Sequence, residues 1–367
     1  MAGAPGCSTA TAAGRALHDV PAAMASVPGA PFGVTVTRDG RWVFVALTQV
    51  ASVGVFRIAG PGVPSLTGLV NIRQEPVGEA LTPDGRHLLV ADDATGADVI
   101  SVRRAESGAG GALLGTLGAG SAGGAIEVAV SPDGRSAFVS LEDNASIAVY
   151  NLGRALSDGF RGPDLVGMIP AGIAPVGMAV SPDGRWLYAT SELEAGAAGD
   201  GQGGRGTLTV IDLQRAETDP AHSVVSTVVA GCSPVRVITS ADGAVVWVTA
   251  RGSDRLLGFS AARLRADPAH SLVASVAVGE APVGLALVGG GKQIVVADSN
   301  RFSASGAASS LAVVGVAAAL AGRPALAGYL TAGGFPREMA LEPGGRTLLV
   351  ANFSSRQLEA VDVADLP

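Results

Sequence analysis

One unit recurs seven times along the chain, and that repetition limits the possible folds more than any other feature. Each unit reads as an extended run, a turn such as Ser-Pro-Asp-Gly-Arg, and further extended runs. The turn aspartate, or the residue in its place, falls at Asp39, Asp84, Asp133, Asp183, Asp242, Gly290 and Gly344. The intervals are 45, 49, 50, 59, 48 and 54 residues. Asp-Gly between runs rich in Val, Leu, Tyr and Ala is a hairpin signal. Residues 176–180 and 186–190 flank one such turn. Residues 146–152 and 165–170 supply a third and fourth strand in the unit before it.

Four short strands per period of this length predict propeller blades. The strands are nearly apolar on both faces, as expected when each sheet lies between two others. A linear stack would need polar end caps, and the chain offers none. It offers closure. The last unit ends after residues 357–363, one strand short, and an orphan extended piece at 22–27 precedes the first. Pairing the two leaves no open outer edge. The expectation is an all-β, seven-bladed β-propeller of four-stranded antiparallel blades. A single domain spans 22–364, preceded by an N-terminal extension at 1–21.

Composition agrees. Glycine (52) and proline (21) are abundant, aromatics are only 4%, and small residues let sheets sit close. Hydrophobic residues at 48% and charged residues at 16% exclude a disordered chain. A net charge of −7 disfavours a nucleic-acid partner. No unbroken apolar run of membrane-spanning length is present. Two cysteines, Cys7 and Cys232, permit one disulfide and exclude a CxxC site. Two free thiols are expected, with the disulfide as the alternative.

The units at 175–190 and 130–140, with their Val-Ser-Pro-Asp-Gly-Arg cores, resemble the YVTN-repeat and lactonase-like seven-bladed propellers of bacteria. The resemblance covers about residues 22–364. It implies an exported protein, either a binding propeller, an enzyme or a structural surface protein. Residues 1–20 lack a basic segment and an apolar core. A periplasmic or secreted location therefore requires that a leader was removed; Met1 as native start would mean the cytoplasm. In lactonase-like propellers an inner strand often begins Pro-His-x, and none of the seven starts here carries that histidine.

Inner-strand starts, aligned on the turn, default to Gly followed by an apolar residue. Glu79, Glu127, Arg236, Arg337 and Glu338 depart from that rule. Five charges near one channel mouth need partners, solvent or a ligand. Second-strand ends on the same face add Asp92, Glu142, Glu192, Arg251 and Asp298, among others. The longest insertions, 195–205 and 301–310, belong there too. Candidate catalytic groups are Glu127, Glu338 and Arg236, a carboxylate base with a guanidinium anchor. Arg236 lies two blades from Glu127 and two from Glu338, so a ligand is expected to span the gap between them.

Two GxGxxG matches, 118–123 and 201–206, are expected to be loops, because a strand follows each. The near-identical Asp-Pro-Ala-His-Ser segments at 219–223 and 267–271 read as capped turns. No cofactor or metal motif is present. The leading expectation is a monomeric binding propeller that meets a small anionic molecule or a protein partner at its top face. The alternative is a lactonase-like hydrolase or lyase acting on a small carboxylated or lactone substrate.

Overall fold

The computed structural model describes residues 7, 11–60, 62–118, 120, 123–194, 204–301 and 309–367. Their strands form seven antiparallel sheets of four strands each. Blades one to six span 30–71, 79–118, 125–170, 173–232, 234–277 and 282–331, each paired in chain order. Blade seven takes three strands from 336–362 and its fourth from Ala22–Ser26. That strand lies antiparallel to Gln357–Asp362, with Ala22 opposite Val361 and Ser26 opposite Gln357. The ring closes as the sequence predicts.

Each Ser/Thr-x-Asp-Gly turn is locked by its own side chains. Ser181 Oγ donates to Asp183 at 2.5 Å and accepts from the amide of Trp186 at 3.0 Å. Asp183 also accepts the amide of Arg185 at 3.1 Å. The same hydroxyl–carboxylate pair recurs in blades one, two, three and five. Gly184 follows at φ +69°, a conformation that disfavours side chains.

Middle strands fill the space between blades, with Phe44, Phe138, Tyr188 and Trp247 fully buried. Inner strands approach too closely for side chains at one position. A Cβ on Gly177 would strike the carbonyl oxygen of Val235 in the next blade, and Gly78 and Gly284 face the same obstacle. That contact explains the glycine default. Hydroxyls stitch neighbouring blades: Thr190 donates to Val235 O at 2.9 Å and Thr249 to Val283 O at 2.6 Å. Inner-strand pairing also slips near its start in six blades, skipping Glu127 in blade three and both Arg337 and Glu338 in blade seven. Such irregularities re-aim side chains.

Cys7 and Cys232 form a disulfide across 225 residues of sequence, with Cα atoms 5.4 Å apart. This corrects the expectation of free thiols. Two cysteines so far apart in sequence give no local cue, and only the closed ring brings them together. From Cys7 the N-terminal strap passes blade five, where the Ala12 amide donates to Val278 O at 2.9 Å. It then runs beside the outer strand of blade six. The Tyr329 amide donates to Arg15 O at 2.9 Å and the Leu17 amide to Tyr329 O at 2.8 Å. Finally it enters the closing strand.

Among the described residues, five short α-helices between third and fourth strands were not anticipated. Asn151, Asp212 and Ser260 cap three of them. Each Asp-Pro-Ala-His-Ser segment forms a single 3-10 turn, at Pro220–His222 and Pro268–His270, with Asp219 and Asp267 bonded to Nδ1 of His222 and His270 at 2.8 and 2.9 Å. The first GxGxxG match begins on Gly118, the last residue of a strand, and the next strand follows it; the second is not wholly a loop, since Arg205 and Gly206 already belong to a strand, while 119, 121–122 and 201–203 lie outside the described residues. No described helix is long and apolar enough to cross a membrane.

Candidate functional site

The repeat's glycine rule breaks where blades three, five and seven meet the channel. Arg236 Nε bonds Glu338 Oε1 and stands 3.5 Å from Glu127 Oε2. The arginine side chain is only 6% exposed, against 14% for Glu127 and 19% for Glu338. Arginine's long stem therefore crosses the bore and reaches both carboxyls. This corrects the expectation that the gap would be left for a ligand to span.

Glu79 is the fourth member. Among the described residues both its carboxyl oxygens are buried with no hydrogen bond of good geometry, Thr35 being the hydroxyl donor beside them. Burial pushes its pKa up to about 8, with the nearby carboxyls of Glu127 and Glu338 adding to the rise. Burial likewise pushes Glu127 up to about 8, against the pull of Arg236. The bore therefore favours protonated Glu79 and Glu127 near neutrality.

Arg337, the fifth, has a different setting. Its guanidinium carbon sits 3.6 Å from the centre of the Phe32 ring, 5.1 Å from Phe335 and 5.3 Å from Phe353. Burial, followed by the charge of Arg236, lowers its pKa. The sequence reading missed this cage. Phe32 stands where most other blades carry valine, and Phe335 and Phe353 lie next to the inner-strand start and the second-strand end of blade seven. Their signal was placement: two of the chain's nine phenylalanines flank inner-strand and second-strand ends of one blade.

The second-strand residues divide. Arg251 Nη2 and Glu192 Oε2 form an ion pair at 2.6 Å, each side chain 8% exposed. Burial raises the pKa of Glu142, and the charge of Glu192 adds to it. Asp92 and Asp298 serve loops. Asp92 accepts the amides of Ala94 and Gly96 at 3.0 and 2.8 Å. Asp298 accepts the Gly279 amide at 3.0 Å and the Ser310 hydroxyl at 3.1 Å. Residues 195–203 and 302–308, from the two long insertions, lie outside the described residues.

Among the described residues no group of three or more His, Cys, Asp or Glu side chains is arranged to hold a metal ion. A groove of about 330 Å³ lies on the opposite face, lined by Asp133, Asp183, Trp186, Asp212 and Glu217. Its aspartates are committed: Asp133 and Asp183 lock turns and Asp212 caps a helix. The charges that depart from the repeat's glycine rule gather instead at the channel.

No protein-family model and no curated protein matches the chain. Solved structures do. Hydrazine synthase of Kuenenia stuttgartiensis superposes with a TM-score of 0.72 at 19% identity, covering 93% of this chain and 97% of that one. A chain of the mitotic checkpoint complex superposes at 0.71 and 14% identity, covering 93% and 94%. At such identities the likeness establishes the seven-bladed propeller fold and nothing finer.

Proposed function

We propose that this propeller is a binding or interaction protein whose small anionic ligand or protein partner meets the top-face end of the channel. The fold fits that role. One observation carries the choice over catalysis: Arg236 is taken up by Glu338 and approached by Glu127. An anchor whose Nε is already bonded to Glu338 keeps only a spare N–H, and is poorly placed to polarise a reacting acyl group. Incubating the protein with a panel of lactones should therefore give no turnover above background.

A hydrolytic reading has one observation in its favour. Carboxyls held near pKa 8, as Glu79 and Glu127 are, suit proton transfer near neutrality. Turnover that Glu127→Gln abolishes would establish that reading instead.

We further propose export to an oxidising compartment. The Cys7–Cys232 disulfide supports it, because such bonds persist outside the reducing cytosol. Protein isolated from its native host, denatured without reductant, should show no titratable thiol. The acidic balance of −7 argues against nucleic acid as partner.

A further inference from the structure

Six blades place an apolar residue one step before the glycine position: Phe32, Val77, Ile126, Val176, Val235 and Val283. All six belong to one buried cluster. Blade seven places Arg337 there instead. A cation in the seventh place of an apolar collar breaks the collar's own rule, and the collar gives it no answering charge. Among the described residues Arg337 has no hydrogen-bond or ion-pair partner, and its Nε is buried and unsatisfied. Phe32, Phe335 and Phe353 stack around the guanidinium. Ring faces attract the charge but accept no conventional hydrogen bond from it. The adjacent carboxylate, Glu338, is bonded by Arg236.

A second orphaned donor lies beside the first. Arg236 is 5% exposed, its Nη2 has no partner among the described residues, and its guanidinium carbon is 5.9 Å from the same Phe32 ring. Two guanidiniums thus flank one phenyl ring, each with an unused N–H. Planar N–H donors of this kind match a carboxylate. The phenyl rings select what is attached to it: an apolar body, not further charge.

We infer that Arg337, assisted by Arg236 Nη2, binds the carboxylate of a small apolar acid whose hydrocarbon part lies against Phe32, Phe335 and Phe353. This rests on the binding reading above and narrows its ligand to amphiphilic monocarboxylates.

Thermal melts and titration calorimetry on the full chain test it, with phenylacetate and octanoate as probes and acetate and phenylacetamide as controls. At least one apolar acid should raise the melting temperature with concentration. Acetate should do so weakly, and phenylacetamide not at all. Arg337→Leu should weaken the acid at least tenfold. Without ligand it should melt no lower than the parent, since leucine suits the collar. Arg337→Lys keeps the charge, loses the planar fork, and should bind more weakly in an intact fold. Silence of the parent toward both acids overturns the inference, as does equal affinity in Arg337→Leu. A silent parent whose Arg337→Leu variant melts lower makes Arg337 a brace. Either failure leaves a protein partner open, whereas lactone turnover overturns the binding reading itself.

Discussion

Arg236 shows how one residue's geometry decides between chemistry and architecture. Its charge is buried with those it pairs, so removing it strands Glu338 in a poorly solvated bore. Breaking a buried pair by deleting one partner costs about 3–5 kcal/mol. Arg236→Ala should therefore lower the melting temperature by several degrees, as a thermal scan would show. A variant that melts like its parent would mean that channel water already screens the pair. Glu79 makes an opposite case. Its carboxyl ordinarily ionises near 4.5, and in the fold near 8. Between those values the folded chain holds a proton that the unfolded chain lacks, so stability falls as pH rises through that window. Glu127 behaves alike. Glu79→Gln should flatten this fall, leaving the variant more stable than the parent at alkaline pH and near parity in acid. Denaturant midpoints across the pH range would reveal it. These residues were legible because they break a repeat, so alignment within one chain exposed them. Their contacts were not legible. The reach of Arg236 across two blades, and the phenyl cage of Arg337, depend on channel width and on side-chain direction at strand irregularities, which no spacing in sequence encodes.

Elements were the most legible scale, because each hairpin turn writes its own hydrogen bonds into local sequence. Thr37 with Asp39 and Ser240 with Asp242 repeat the arrangement at 2.6 and 2.5 Å. Hydroxyl and backbone donors hold the turn aspartates below their ordinary pKa, most strongly through Thr37 for Asp39 and Ser181 for Asp183. Their contribution is present above the ordinary value and lost as pH falls through the lowered one. Their pH dependence therefore runs opposite to that of Glu79 and Glu127, whose contributions fall as pH rises. The short helices were hidden. Each is a single turn or two, below the length at which apolar periodicity registers. The closing strand is a different matter. Ala22–Ser26 is fully exposed on its outer side, so packing contributes little and pairing with Gln357–Asp362 is its role. Deleting residues 1–28 should lower the melting temperature sharply, whereas deleting 1–20 removes the strap and spares the strand. The second truncation should melt distinctly above the first. Equal melts would show that hydrogen-bonded closure adds nothing beyond the strap.

The molecule as a whole is latched twice, and only one latch could be read in advance. Strand pairing closes blade seven, while the disulfide carries the strap back from there to blade four. Among the described residues of the strap between its ends, bonds join Ala12 to Val278, Arg15 and Leu17 to Tyr329, Arg15 Nε to Ala327 O at 3.1 Å, and the Tyr329 hydroxyl to Ala12 O at 2.7 Å. Residues 14–16 are exposed. Of its described residues only Leu17 and Val20 pack against the core, so the covalent end should do much to decide whether the exposed part stays. A cross-link closing 225 residues limits the unfolded chain, worth about 5 kcal/mol on the chain-entropy estimate. Cys7→Ser should thus lower the melting temperature while leaving the seven blades assembled, because the closing strand remains paired. Local opening should respond more strongly than global stability. Trypsin needs several residues around Arg15 to leave the surface, and an anchored strap resists that. In oxidised protein cleavage after Arg15 should be slow. After reduction, or in Cys7→Ser, it should be the first cut, with the remaining chain resistant. If reduced and oxidised protein are nicked at the same rate, the bonds to blade six alone hold the strap, and the disulfide acts only on the unfolded chain.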